Sequence, residues 1–251
     1  MLLFHTDNLP HYGLERTFEF AKKAGYDGIE IGVGRSYDTQ NPAYIKQLSA
    51  RYALPVKAFS ITSKCEEDLA KVFQHTVREF EGSTMNLVPA QMLSFKYKKW
   101  MEEIVPKLAQ KYNLTACRRN VPAETMMGFL PSRSDNSVAA LRQTGLVCLD
   151  LTALAMSNDD IMRSLEEAGT ALRHVYISNV HKKMPYSAPM HGVLPLESFL
   201  TKLARADFKG DFTLFVKAQE LHEGDDEKVI AKMIEAREFI EKYFVADPAD
   251  V

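Results

Sequence analysis

Residues 14–33, LERTFEFAKKAGYDGIEIGV, contain a helix, a stop signal and a strand in succession. Leu14, Phe18 and Ala21 recur at the spacing of one helix face, and Gly25 is a residue that commonly ends a helix. The next run, Ile29–Val33, is short and mostly apolar, which is typical of a buried parallel strand. The stretch therefore predicts one helix–strand step of an α/β fold.

The same step recurs along the chain. The predicted strands begin about 30 residues apart, the length of one strand–helix unit. They are Leu2–Thr6, Ile29–Val33, Val56–Thr62, Met85–Val88, Leu114–Arg119, Leu146–Leu151, Val175–Val180 and Phe212–Lys217. The predicted helices are Leu14–Ala24, Pro42–Tyr52, Glu66–Phe80, Lys98–Tyr112 with an interruption at Pro106, Val138–Gln143, Asp160–Ala168, Leu196–Ala206 and Asp226–Phe244.

Eight such units in 251 residues indicate one α/β domain, residues 1–251, folded as a (β/α)8 TIM barrel. A doubly wound open sheet is the alternative, but the count and even spacing favour the barrel, and no GxGxxG fingerprint is present. The longest irregular segments, 122–136 and 181–194, both follow strands. In a barrel they would lie over the C-terminal mouth, where this fold carries its functional residues.

Composition excludes several classes of protein. A formal net charge of −2 and 46% hydrophobic residues are ordinary for a soluble globular chain and argue against a disordered or strongly basic one. No apolar run is long enough for a membrane span, and the first residues lack a signal-peptide pattern, so we expect a cytoplasmic protein. The three cysteines are too scattered for a disulfide framework or a paired zinc site.

Four segments resemble the xylose isomerase-like barrels, a superfamily that contains sugar isomerases, epimerases and type IV apurinic endonucleases. They are Phe18–Ile31 (FEFAKKAGYDGIEI), Asn113–Pro122, Met190–Leu196 (MHGVLPL) and Ala206–Phe212 (ADFKGDF). The resemblance spans essentially the whole chain and implies the barrel fold, a role in sugar metabolism and a site at the C-terminal mouth. It is more specific for the fold than for the activity.

The resemblance implies a divalent cation held by two Glu, an Asp and a His, but this chain departs from that pattern. Asp150 matches the Asp of the sixth strand. The other positions carry residues that do not fit: Arg119, Ala153, Tyr176, Asn179 and Phe215. A fixed guanidinium beside Asp150 could take the place of the cation. We therefore expect no metal at this site and no cofactor.

Four residues are candidates for catalysis: Glu30, Asp150, Tyr176 and Lys217. Glu30 is as well explained by a structural ion pair with Arg119 or Lys57 as by a substrate contact. Tyr176 could act as a weak acid or fill the space of the absent metal. Lys217 could join Arg119 in a basic floor, serve as a desolvated base, or pair with an acid at the rim.

Six further residues are candidates for substrate binding: His5, Arg119, Asn120, Asn179, His181 and His191. A basic floor of Arg119 and Lys217 would suit a carboxylate or a phosphate. His181 and His191 lie in the loop that covers the ligand in the family, although a solvent-exposed position is the favoured explanation for each of them. The expected partner is a small molecule, anionic in character.

Three hypotheses follow. The first is a divergent barrel that binds a small polar or anionic sugar-like metabolite without metal. The second is an active, metal-independent sugar isomerase or epimerase with reassigned acid and base residues, His181 among them. The third, ranked last because the net charge gives no attraction to phosphate, is a barrel related to the endonucleases that binds nucleic acid or protein. An apolar run at 126–130 would permit a homodimer without requiring one.

Overall fold

Eight parallel strands form a closed barrel in the computed structural model, which describes residues 1–34, 36–61, 67–126, 130–133 and 136–244. In chain order the barrel strands are Leu2–His5, Gly28–Val33, Val56–Ile61, Thr84–Leu87, Thr115–Arg119, Leu146–Asp150, Leu172–Ile177 and Asp211–Leu214. Each strand pairs with the next, and the eighth pairs with the first. The predicted (β/α)8 barrel is confirmed.

Helices surround the barrel and bury one face each against it. Their bounds are Leu14–Lys23, Pro42–Tyr52, Glu67–Val77, Phe95–Lys99, Val105–Lys111, Val138–Thr144, Leu151–Met156, Ile161–Ala168, Leu196–Arg205 and Asp226–Tyr243. Gly25, at φ +81°, allows the chain to turn into the second strand just after the first helix. Asn41 and Asp160 cap their helices by accepting a backbone N–H bond, as short polar residues at this position commonly do.

Several element ends differ from the prediction. The helix predicted from Lys98 begins at Phe95, and a π-helical turn, Trp100–Ile104, precedes Val105–Lys111. Pro106 lies in the first turn of that last segment, where its missing N–H costs no hydrogen bond. The helix Leu151–Met156 was predicted as part of a strand and loop because its apolar run has no helical period.

Two small antiparallel hairpins lie outside the barrel. One joins Asn179–His181 to Met184–Ser187, and the other joins Thr125–Met126 to Leu130–Pro131. Both fall in the segments that the sequence placed after the seventh and fifth strands. The apolar run 126–130 lies partly outside the described residues. None of the helices in the described part of the chain has the length and apolar character that a bilayer crossing requires.

Register across the barrel brings polar side chains of distant segments together. His5 pairs with Glu30, and Asp150 pairs with Tyr176, which in turn pairs with Thr213. Because alternate residues of a strand point to opposite faces, these residues share the interior face of the barrel. The core between strands and helices is otherwise apolar, so the barrel axis is where the polar chemistry concentrates.

Candidate functional site

A cavity of about 410 Å³ opens at the C-terminal mouth of the barrel. Its size is typical of small-molecule sites. The ends of the first, third, fifth and sixth strands and the turn after the eighth strand line it. Its polar lining residues are His5, Asp7, Ser60, Arg119, Glu124, Arg133, Asp150, Tyr186 and Lys217. The mouth location matches the prediction.

Arg119, the last residue of the fifth strand, brings a buried cation to this cavity. Its guanidinium carbon lies 4.6 Å from the centre of the Tyr176 ring and 5.8 Å from that of the Phe215 ring. The residue is 7% exposed, and its Nε has no hydrogen-bond partner. Burial acts to lower the pKa of Arg119, but the negative potential of Tyr176 and Asp150 raises it above its usual value, so the group stays charged.

Asp150 ends the sixth strand on the wall of the same cavity. Its Oδ1 accepts a hydrogen bond of 2.9 Å from the Ala153 N–H and thereby caps the helix Leu151–Met156. Burial raises the pKa of Asp150 to about 6, although Arg119 and the backbone hydrogen bond oppose that rise. The carboxyl group therefore titrates close to neutral pH.

The Asn120 side chain binds the backbone of Asp150 and does not face the cavity. Its Oδ1 accepts from the Asp150 N–H at 2.7 Å, and its Nδ2 donates to the Asp150 carbonyl oxygen at 3.0 Å. The side chain is buried and is not among the residues that line the cavity. The structure therefore gives Asn120 a positioning role, not the predicted substrate contact, because both amide groups are already engaged.

Glu30 lies below the cavity, at the centre of a polar cluster in the barrel interior. It is fully buried, and its Oε2 accepts from Thr213 Oγ1 at 2.7 Å and lies 3.2 Å from His174 Nε2. Its Oε1 accepts from Asn86 Nδ2 at 3.1 Å and from the Tyr176 hydroxyl. With five donors or cations around it, counting His5 at 3.9 Å, the carboxylate is solvated by the protein itself.

These contacts correct the expected partners of Glu30. No ion pair joins Glu30 to Arg119 or Lys57 within the described part of the chain. Burial acts to raise the pKa of Glu30, but the hydrogen bond and charge of His174, followed by His5 and Tyr176, hold it well below its usual range. Glu30 does not line the cavity, so the structure supports the structural alternative over a direct catalytic role.

Tyr176 separates the cavity from this cluster. Its ring lies under the Arg119 guanidinium, while its hydroxyl donates to Glu30. Burial raises the pKa of Tyr176 well above its usual value, and Glu30 adds to the rise. The side chain is thus a floor for Arg119, and it is not placed to exchange a proton with a ligand.

His5 faces the cavity in one fixed tautomer. Its Nδ1 accepts from the Asp7 backbone N–H at 3.0 Å, so its Nε2 carries the proton in the neutral ring and points to Ser60 Oγ at 2.8 Å. The predicted contact with a ligand is compatible with this position. The hydrogen bond between the His5 ring and the Asp7 N–H caps the start of the 3-10 helix Thr6–Asn8.

Lys217 lines the cavity at its outer rim, where it is exposed. Its backbone N–H donates to the Tyr186 carbonyl oxygen at 2.9 Å, and the exposed position leaves the ammonium group hydrated rather than desolvated. The eighth strand ends at Leu214, and the chain turns before Lys217. The suggestion of a desolvated catalytic lysine is therefore wrong, and Lys217 remains as a rim cation.

Asn179, His181 and His191 lie outside the cavity. Asn179 is buried and accepts from the Val180 and Leu194 N–H groups at 2.8 Å and 2.9 Å, so it ties the hairpin to the following loop. The His181 and His191 rings are 6.5 Å apart. None of these three predicted residues is among those that line the cavity.

Tyr186, Arg133 and Glu124 line the cavity, although none of them is among the candidate site residues predicted from the sequence. Tyr186 adopts φ +61° and packs edge-on against Phe215 at 5.4 Å between ring centres. Arg133 is buried, and its guanidinium donates to the Pro89 carbonyl oxygen. Glu124 and Arg133 lie in irregular segments and Tyr186 in a short hairpin strand, where no period signals which side chain faces inward.

No cluster of three or more His, Cys, Asp or Glu side chains suited to a metal ion occurs among the residues the structure describes. Cys117 and Cys148 are free and buried beside Tyr176. Burial raises the pKa of Cys117 to about 12, which leaves its thiol protonated and unreactive at neutral pH.

No family model matches the chain. A curated relative, the uncharacterised protein ML2432 of Mycobacterium leprae (strain TN), is 23% identical over 270 residues, which covers 92% of this chain and 93% of the relative.

Solved structures with a similar fold include two sugar epimerases and a protein with a xylose isomerase domain. D-Psicose 3-epimerase of Clostridium cellulolyticum H10 has 13% identity and a TM-score of 0.71, covering 97% of this chain and 99% of that one. The 3-keto-D-glucoside 4-epimerase of E. coli has 14% identity and a TM-score of 0.70, covering 94% and 98%. A xylose isomerase domain-containing protein of Salmonella typhimurium LT2 has 13% identity and a TM-score of 0.69, covering 96% and 97%. The chain therefore has the barrel fold of the sugar epimerases and xylose isomerase-domain proteins.

Proposed function

We propose that the mouth cavity binds a small, polar, anionic metabolite of sugar-like size, and that Arg119 is the cation that holds it. The observation that carries this proposal is the Arg119 guanidinium, which is buried, lines the cavity and lacks a partner for its Nε. The fold shared with sugar epimerases supports a sugar-like ligand.

The energetic argument concerns desolvation. A buried charged group without hydrogen bonds is costly, so proteins pair such groups or bind an ion to them. The aromatic rings of Tyr176 and Phe215 compensate only part of that cost. An anionic ligand would supply the acceptors that the protein does not.

The donor set at the mouth does not fit a divalent cation. One carboxylate oxygen of Asp150 accepts a hydrogen bond from the Ala153 N–H, and the Tyr176 hydroxyl donates its hydrogen bond to Glu30. Phe215 cannot ligate, and the Arg119 guanidinium would repel a dication at this place. We infer that the protein's own cation stands where the family resemblance implies a metal.

Thermal unfolding with added ligand tests the proposal. At constant ionic strength, inorganic phosphate and D-gluconate serve as anionic probes, and D-glucose serves as the neutral one. At least one anion should raise the Tm of the wild type by several degrees, because it binds the folded state alone. D-Glucose should have a smaller effect.

The matched variants are Arg119→Met and Arg163→Met. Arg163 is an exposed arginine that pairs with Glu167 on an outer helix, so its loss should leave the anion effect unchanged. Arg119→Met should abolish the effect. Equal anion stabilisation of the wild type and Arg119→Met would show that the cavity arginine is not the binding cation and would refute the proposal.

A metal-independent isomerase or epimerase is the second candidate, favoured by Asp150. A carboxyl group with a pKa of about 6 on the cavity wall is suited to remove a proton beside a carbonyl group, and Arg119 could stabilise the enediolate. Of the predicted catalytic set, Glu30, Tyr176 and His181 do not line the cavity, so the base would be Asp150. Deuterium uptake at the α-carbon of ketose or keto-acid substrates in D2O, lost in Asp150→Asn, is the expected result; no uptake across such a panel would exclude this candidate.

A further inference from the structure

We infer that the anionic group of the ligand is a carboxylate on a polyhydroxylated carbon chain, a sugar acid, rather than a phosphate ester. The inference rests on the proposed function, since it specifies the chemistry of the ligand in the same cavity.

The first observation is the orientation of Arg119. One face of its guanidinium is covered by the Tyr176 ring at 4.6 Å, and the Phe215 ring lies 5.8 Å away. Its N–H donors lie in the guanidinium plane, and Nε is buried without an acceptor. A carboxylate is planar and can accept two parallel N–H bonds from such a guanidinium edge. A phosphate can accept them too, so the charge of the cavity has to distinguish the two anions.

The second observation is the charge balance of the cavity. Three carboxylate side chains, Asp7, Glu124 and Asp150, line it together with Arg119, Arg133 and Lys217. Lys217 is exposed at the rim, where solvent screens its charge. A phosphate monoester would bring nearly two negative charges among three carboxylates. A single carboxylate brings only one negative charge to a lining that holds three cationic and three carboxylate side chains, so it disturbs the charge balance less.

The third observation is the lining away from Arg119. His5 Nε2 and Ser60 Oγ form a hydrogen-bonded pair at the cavity wall, and Asp7 and Glu124 add acceptors. The Ser60 hydroxyl and the carboxylate oxygens suit hydroxyl groups, which both donate and accept. Phe215 offers an apolar surface to a carbon backbone. The lining therefore fits a chain of hydroxylated carbons that ends in one carboxylate.

Isothermal titration calorimetry at pH 7 and constant ionic strength tests the inference with D-gluconate, D-glucuronate, D-glucose 6-phosphate and D-glucose. At least one sugar acid should bind ten-fold or more tightly than both the phosphate ester and D-glucose. Arg119→Lys, which keeps the charge and removes the planar fork, should weaken sugar-acid binding about ten-fold or more. Arg163→Met should bind like the wild type.

The outcomes separate the inference from the proposed function. Tighter binding of D-glucose 6-phosphate than of either sugar acid, with loss in Arg119→Met, would overturn the inference and leave the proposed function standing. Binding of none of the anions, or anion binding that Arg119→Met retains, would overturn both. A wild-type circular dichroism spectrum and a cooperative thermal transition for each variant show that a loss of binding is not a loss of fold.

Discussion

Glu30 shows how a barrel interior can hold an ionised carboxylate. His174, Thr213, Asn86 and Tyr176 give its two oxygens four contacts, and none of these groups comes from a neighbouring position in the sequence. The cluster supports the Tyr176 ring, which in turn supports the Arg119 guanidinium. A residue without contact to the cavity therefore fixes the position of the residue that we expect to bind the ligand.

Glu30→Gln should destabilise the protein by about 2–4 kcal/mol, because an amide nitrogen would face donors such as Thr213 or His174 in a closed space. Glu30 has a lowered pKa, so its stabilising contribution is present above its unfolded value, about pH 4, and is lost as the pH falls below that. Urea unfolding should therefore show a steeper acid loss for the wild type than for the variant. Glu238→Gln, at an exposed position, is the control; a similar effect there would contradict the role of the cluster.

Asp150→Asn should remove a pH dependence of stability whose sign is opposite to that of Glu30. The pKa of Asp150 is raised to about 6, so the folded state binds the extra proton between about pH 4 and pH 6, and stability from this group declines as the pH rises through that window. The asparagine keeps the helix cap and removes the titration. When the pH rises from 4.5 to 6.5, the unfolding free energy of the wild type should fall by about 2 kcal/mol relative to that of the variant. Parallel pH profiles for both proteins would contradict the assignment.

The affinity for anions should also depend on pH through the titration of Asp150. A neutral Asp150 no longer repels an anion next to Arg119, so binding should strengthen as the pH falls from 7.5 to 5.5. In Asp150→Asn that dependence should be reduced, and affinity at pH 7.5 should exceed that of the wild type. Calorimetric titration of D-gluconate at both pH values measures these affinities. An unchanged pH dependence in the variant would show that another group is responsible.

At the scale of elements, the hairpin of Asn179–His181 and Met184–Ser187 closes one side of the mouth. Asn179 fastens it through the N–H groups of Val180 and Leu194, and its Nδ2 donates to the Pro189 carbonyl oxygen at 3.0 Å. The other end of the hairpin carries Tyr186 to the cavity. A side chain that never touches the ligand position thus orders the segment that borders it.

Asn179→Ala should loosen this hairpin while the barrel stays folded. Lys182 and Lys183 form the exposed turn, so limited trypsin digestion should cleave there several-fold faster in the variant. Asn41→Ala, which removes a helix cap elsewhere, should leave the rate of cleavage at this turn unchanged. Equal rates of cleavage in Asn179→Ala and the wild type would show that the hairpin does not depend on this side chain.

The elements also show where sequence patterns succeed. The predicted strand bounds put Arg119 at a strand end and Asp150 one residue before one, and the family resemblance marked both as site positions; both line the cavity. Lys217 was misplaced since its strand ends three residues earlier, at Leu214. Tyr186 was missed because its left-handed backbone, φ +61°, is set by the hairpin and not by its residue type.

For the whole molecule, the repeat of eight strand–helix steps was enough to predict the barrel. Closure follows from that count, and the register then gathers Glu30, His174 and Tyr176, which are far apart in the chain. Their partnership could not be predicted, because it depends on which interior residues share a level of the barrel. Single-domain organisation, a cytoplasmic location and a homodimer remain predictions.

The central claim is that Arg119 supplies the cation at the barrel mouth and leaves no place for a dication. The most direct test is the metal content of the untagged protein after dialysis against excess Mn2+ or Zn2+ and removal of free ion, measured by mass spectrometry for the wild type and Asp150→Ala. We predict that neither protein retains a stoichiometric metal. One equivalent retained by the wild type and lost in Asp150→Ala would contradict the claim.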